Sequence, residues 1–99
     1  ANNTTASNNT AVGSQSLKAN TTGADNVAVG VSTLQTNTTG IRNEALGNGA
    51  LYSNTSGGNN VGIGRQALYS NTTASSNIAV GGNALFANTT GANNTARLI

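Results

Sequence analysis

The sequence predicts an all-β fold, a β-solenoid (β-roll) wound from coils of 17 residues. Three observations carry that expectation. Asparagines recur at Asn9, Asn26, Asn43, Asn60, Asn77 and Asn94, each 17 residues after the last. Glycines at Gly13, Gly30, Gly47, Gly64 and Gly81 keep the same step, as do Leu17, Leu34, Leu51, Leu68 and Leu85. Self-similarity at a short fixed period marks a stacked architecture, in which each unit buries its apolar face only against its neighbours. A helical-hairpin repeat needs about 30 residues or more, so two packed helices do not fit in this unit. One coil per unit, laid on its predecessor at the spacing of neighbouring strands, is the solution that fits. Residues 1–99 then form a single array of five to six coils, expected to be an excerpt from, or a stacking subunit of, a longer fibre.

Counted from each of those asparagines, one unit reads Asn-x-Ala-Val-Gly-x-x-Ala-Leu-x-x-Asn-Thr-Thr-Gly-x-x. The first-position asparagines are expected to form a ladder, since identical amides on stacked strands hydrogen-bond to the copies above and below. The next positions supply the strands: Val27–Val29, Val61–Ile63 and Ile78–Val80 are apolar, mostly β-branched runs bounded by turn residues. The third position stays small, at Ala11, Ala28, Ala45, Gly62, Ala79 and Ala96. The fourth is aliphatic at Val12, Val29, Leu46, Ile63 and Val80, and becomes Arg97 in the last copy, where a core ladder is expected to end. Strand side chains alternate faces, so the third and fourth positions look in opposite directions. Restriction at both predicts two crowded faces, one the coil interior and the other a second buried surface against another chain. The second position is looser. Glu44 occupies it in one copy, where it is expected to border solvent, with Arg42 two residues away as the alternative partner. Glycine at the fifth position and asparagine at the twelfth punctuate any helix. The small eighth position and the invariant ninth leucine complete the expected core, and the tenth varies from Lys18 and Gln35 to Tyr52, Tyr69 and Phe86.

Composition removes most chemistry. Histidine and cysteine are absent, and Asp25 and Glu44 are the only acids. Zinc, haem, thiolate and histidine-base chemistry are excluded within this chain. Carbohydrate cleavage uses clustered carboxylates, and these two stand 19 residues apart. The chain is therefore expected to be no enzyme and to need no cofactor. Lys18, Arg42, Arg65 and Arg97 give a net charge of +2 but share no repeat position, which argues against a nucleic-acid-binding face. No apolar run approaches the roughly 20 residues of a membrane span.

The triplets Asn-Thr-Thr and Asn-Thr-Ser offer candidate sites. Asn3, Asn20, Asn37, Asn54, Asn71 and Asn88 each head an N-glycosylation acceptor sequence, in register, and Asn2, Asn8 and Asn93 do so outside that row. Tyr52, Tyr69 and Phe86 precede three of the row by two residues and are candidates for stacking on a first sugar. The competing reading makes the triplet a turn and the aromatics a ladder across neighbouring coils. A glycan-coated, self-assembling filament is thus one alternative function. An ice-binding solenoid is a weaker one, because in adjacent pairs such as Thr38-Thr39 one threonine of a strand faces inward.

The runs Asn26-Val-Ala-Val-Gly30, Asn60-Val-Gly-Ile-Gly64 and Asn77-Ile-Ala-Val-Gly81, each followed by x-x-Ala/Thr-Leu, resemble the head repeats of trimeric autotransporter adhesins. Similar repeats occur in phage tail-fibre shafts. The resemblance runs from Asn8 to Ala96, although the adhesin unit is shorter and lacks the Asn-Thr-Thr-Gly segment. It implies a left-handed β-roll, three chains about one axis, and display at the cell surface or on a virion fibre. The expected role is a non-enzymatic, extracellular structural or adhesive module. Its expected partners are copies of itself, as a homotrimer or an end-to-end filament, together with covalent or host-surface glycans.

Overall fold

The computed structural model describes residues 7–97. They form six short strands: β1 (Thr10–Val12), β2 (Val27–Val29), β3 (Glu44–Leu46), β4 (Val61–Ile63), β5 (Ile78–Val80) and β6 (Thr95–Arg97). The strands make one parallel sheet in chain order, each pairing with the next at a register of one unit, so that Ala28 lies against Ala45 and Ala45 against Gly62. No helix interrupts the described residues. The chain is a β-solenoid of about five turns, extending 36 × 23 × 17 Å.

Coil closure depends on repeated left-handed backbone. The fifth-position glycines have φ between 115° and 127°, a region open essentially to glycine alone. They also stack: a Cβ added at Gly47 would lie 2.7 Å from the Gly64 carbonyl carbon. The seventh position is left-handed in every copy (φ 58–72°), as are Asp25, Arg42, Asn59 and Ser76 at the seventeenth. So is each ninth-position leucine, with φ from 48° to 53°. A left-handed residue with a Cβ costs roughly 1–2 kcal/mol. Burial of each leucine offsets this, being worth roughly 1.5–3 kcal/mol. Leu34, Leu51 and Leu68 are wholly buried.

These leucines fill a narrow interior against the third-position residues. Ala28, Ala45 and Ala79 are wholly buried, and a Cβ at Gly62 would meet Leu51 Cγ at 3.5 Å. The eighth-position Ala50, Ala67 and Ala84 complete the apolar core. Ser16 and Thr33 replace alanine there and donate their hydroxyls to the carbonyls of Gly13 and Gly30, at 3.1 and 2.9 Å.

Here the structure corrects one expectation. The third position alone faces inward; the fourth-position aliphatics point out of the coil and are not part of its core. The reason is volume. An interior already holding one leucine per coil accepts only alanine or glycine on the opposite wall. The fourth position is thus the second of the two faces, exposed or half-buried in the single chain.

Candidate interaction surface

Three side-chain features mark the solenoid: a pair of aliphatic files, a pair of asparagine ladders and an aromatic stack over three coils. The outer sheet face carries two aliphatic files. The fourth-position file is Val12, Val29, Leu46, Ile63 and Val80; the second-position file contributes Val27, Val61 and Ile78. Val12 is 56% exposed and Leu46, Ile63 and Ile78 about 40%, while the other valines are half-buried by their neighbours in the sheet. Glu44 stands between Val27 and Val61 and is exposed, as expected of a residue bordering solvent. Thr10 and Thr95 close the second-position file, and Arg97 the fourth. The result is an apolar strip of one-coil periodicity, interrupted by Glu44 and ended by polar residues except at Val12.

The asparagines form the second feature, and they face inward in two adjacent ladders. In the first-position ladder, each Oδ1 accepts the backbone N–H of the asparagine one coil later, as in Asn43 N–H to Asn26 Oδ1 at 2.9 Å. Each Nδ2 donates to the fifteenth-position carbonyl of its own coil, as in Asn43 to Gly57 O at 2.8 Å. The twelfth-position ladder links side chain to side chain: Asn37, Asn54, Asn71 and Asn88 donate from Nδ2 to Oδ1 of the preceding asparagine at 2.8, 2.8, 3.0 and 3.1 Å. The same fifteenth-position carbonyl accepts from both ladders, Gly57 O receiving Asn54 Nδ2 at 3.0 Å. Among the described residues no buried side-chain nitrogen or oxygen lacks a partner.

This placement bears directly on the acceptor sequences. Asn20, Asn37, Asn54 and Asn71 are buried and Asn88 is half-buried. Their Nδ2 atoms, where a sugar would attach, are committed to ladder bonds, and a glycan there would dismantle the interior. Asn3 and Asn2 lie outside the described residues, while Asn8 and Asn93 are exposed. Asn20, Asn37, Asn54 and Asn71 thus face the core and not the solvent. The threonine that follows each buried asparagine donates its hydroxyl to its counterpart one coil on, as in Thr38 Oγ1 to Thr55 O at 3.3 Å. The backbone N–H groups of Thr38, Thr39 and Gly40 converge on that same carbonyl at 3.0–3.1 Å. The next hydroxyls, Thr22, Thr39, Ser56 and Thr73, are exposed. The Asn-Thr-Thr-Gly segment is a coil-to-coil clasp.

The third column is aromatic. Tyr52 and Tyr69 stack with centroids 5.1 Å apart, and Tyr69 and Phe86 at 5.0 Å, both pairs within 6° of parallel. Tyr69 has both faces against other rings and offers neither to a sugar. The sequence-predicted stacking residues are therefore brought together, but onto one another. Of the two acids, both are exposed, and no group of three potential metal ligands exists among the described residues. No helix of the described residues is long and apolar enough to cross a membrane. No family model matches the chain, and neither a curated protein nor a solved structure does.

Proposed function

We propose that this chain is a non-enzymatic structural module of an extracellular fibre, an adhesin-head or tail-fibre-like shaft. Its outer sheet face packs against copies of itself, three chains sharing one axis. The observation that carries this reading is the aliphatic strip. The fourth position is as strictly apolar through Val80 as the buried ninth-position leucine, yet it lies outside the coil. The outward sixth position, by contrast, runs through Ser14, Val31, Asn48, Arg65 and Gly82. A strip kept apolar against solvent is the mark of a surface that is covered in the working assembly. A second copy supplies ridges at the same one-coil spacing. The asparagine and leucine interior supplies the stiffness that a spacer or display shaft needs.

Sedimentation equilibrium tests the reading. The chain at high concentration is expected to associate, with trimer as the limiting species, and Ile63→Asp is expected to return it to monomer while the β-sheet circular dichroism persists. A strictly monomeric wild type would reject it.

A further inference from the structure

The aromatic column carries an inference independent of how copies assemble. Tyr52 and Tyr69 are the only tyrosines in the chain. They lie on consecutive coils, half-buried, with ring planes 6° apart and centroids separated by 5.1 Å. We propose that this pair is an oxidative cross-link site, at which a peroxide-fed one-electron oxidant joins the two rings and staples the third coil to the fourth.

The chemistry balances simply. Each phenol gives up one electron and its hydroxyl proton, leaving two phenoxyl radicals whose spin is shared with the ring carbons ortho to oxygen. An ortho carbon of one ring bonds to an ortho carbon of the other, consuming both unpaired electrons. The hydrogen on each of those carbons then leaves as a proton, an equal number returns to the oxygens, and both rings regain aromaticity. The chain loses two hydrogen atoms in total, and one hydrogen peroxide takes up the two electrons and two protons to become two waters.

Geometry favours this pair. A new bond between radical ring carbons forms through their π faces, which is how stacked rings meet. The ladder holds the two residues to that approach: the Ser53 N–H donates to the Tyr69 carbonyl at 3.1 Å, and the Ser70 N–H to the Phe86 carbonyl at 3.0 Å. Pre-arrangement of this kind raises effective concentration by orders of magnitude over a bimolecular encounter. Phe86 continues the stack but has no phenolic hydrogen to lose, so the reactive run ends at Tyr69.

The test treats the purified chain, at low concentration, with a haem peroxidase and hydrogen peroxide, and reads intact mass, dityrosine fluorescence and peptide mapping. The expected product is a monomer lighter by two hydrogens, linked between Tyr52 and Tyr69. Two double variants keep two tyrosines and conserve the stack. Tyr52→Phe with Phe86→Tyr moves the adjacent pair up one coil and is expected to cross-link as the wild type does. Tyr69→Phe with Phe86→Tyr separates the phenols by an intervening ring and is expected to lose the monomeric product by roughly tenfold or more. An unmodified wild type, chain-to-chain dimers without the lighter monomer, or equal yields from the two variants would each overturn the proposal.

Discussion

Asn54 shows how much this interior asks of a single residue. It donates to Asn37 Oδ1 and Gly57 O and accepts from Asn71 Nδ2, all within a wholly buried site. Alanine there strands the Asn37 oxygen below and takes one of two acceptors from the Asn71 amide above, which keeps the Ala74 carbonyl. At about 1–3 kcal/mol for the stranded oxygen and about 1 kcal/mol for the amide's lost bond, Asn54→Ala is expected to cost roughly 2–4 kcal/mol in urea unfolding. Two glycines make a sharper pair. Gly47 is left-handed with no room for a Cβ, whereas Gly82 has nothing within 4 Å of one and no positive φ. Gly47→Ala is expected to lower stability by more than about 2 kcal/mol, from strain and overlap together. Gly82→Ala is expected to be neutral or to raise it by up to about 1 kcal/mol. At this scale the sequence was partly legible. Repetition exposed the first-position amide ladder. The second ladder was hidden because Asn-Thr-Thr reads equally as a turn or as a sugar acceptor, and nothing local says which way Asn54 points. The left-handed leucines were invisible, since leucine carries no signature for positive φ.

A single coil is the element here, and by itself it holds almost nothing. Its strand is three residues long, and most of its remaining backbone bonds reach to the coil above or below, as in Leu51 N–H to Ala67 O at 2.9 Å. Stability therefore comes from stacking, and the leucine column is its apolar part. Leu51→Ala is expected to cost about 2–5 kcal/mol. Leu51→Asp is expected to unravel the stack, because an unpaired charge in that interior has no compensation. Gln35→Ala, in the outer tenth-position column, is expected to stay within about 0.5 kcal/mol of wild type. Thermal melts of the three variants would rank them. The sequence placed the leucines and the strands correctly. It could not phase them, since alternation over three residues in Val27–Val29 says only that neighbours face opposite ways. The volume of Leu34 and Leu51, once placed inside, decides that Ala28 and Ala45 turn inward and Val29 and Leu46 outward.

Taken whole, the molecule is close to one-dimensional: each strand pairs only with the strands of the coils on either side, and the fold is a sum of coils and of the interfaces between them. Such a stack opens from its ends. Native-state hydrogen exchange is expected to be slowest at the central ladder amides, such as those of Leu51 and Val61, and faster toward Thr10 and Thr95. Uniform protection along the array would contradict nearest-neighbour stacking. This scale was the most legible of the three, because the period sets the coil and the coil sets the rod.

The amide ladders all run one way. Every asparagine donates toward the coil that precedes it, from Asn26 through Asn94, and its own side-chain oxygen waits for the next. A chain made from its amino terminus thus meets bare acceptors before it has the donors to fill them. Each turn presents its side-chain oxygens to the turn that follows, so the two ends of the stack are chemically unlike.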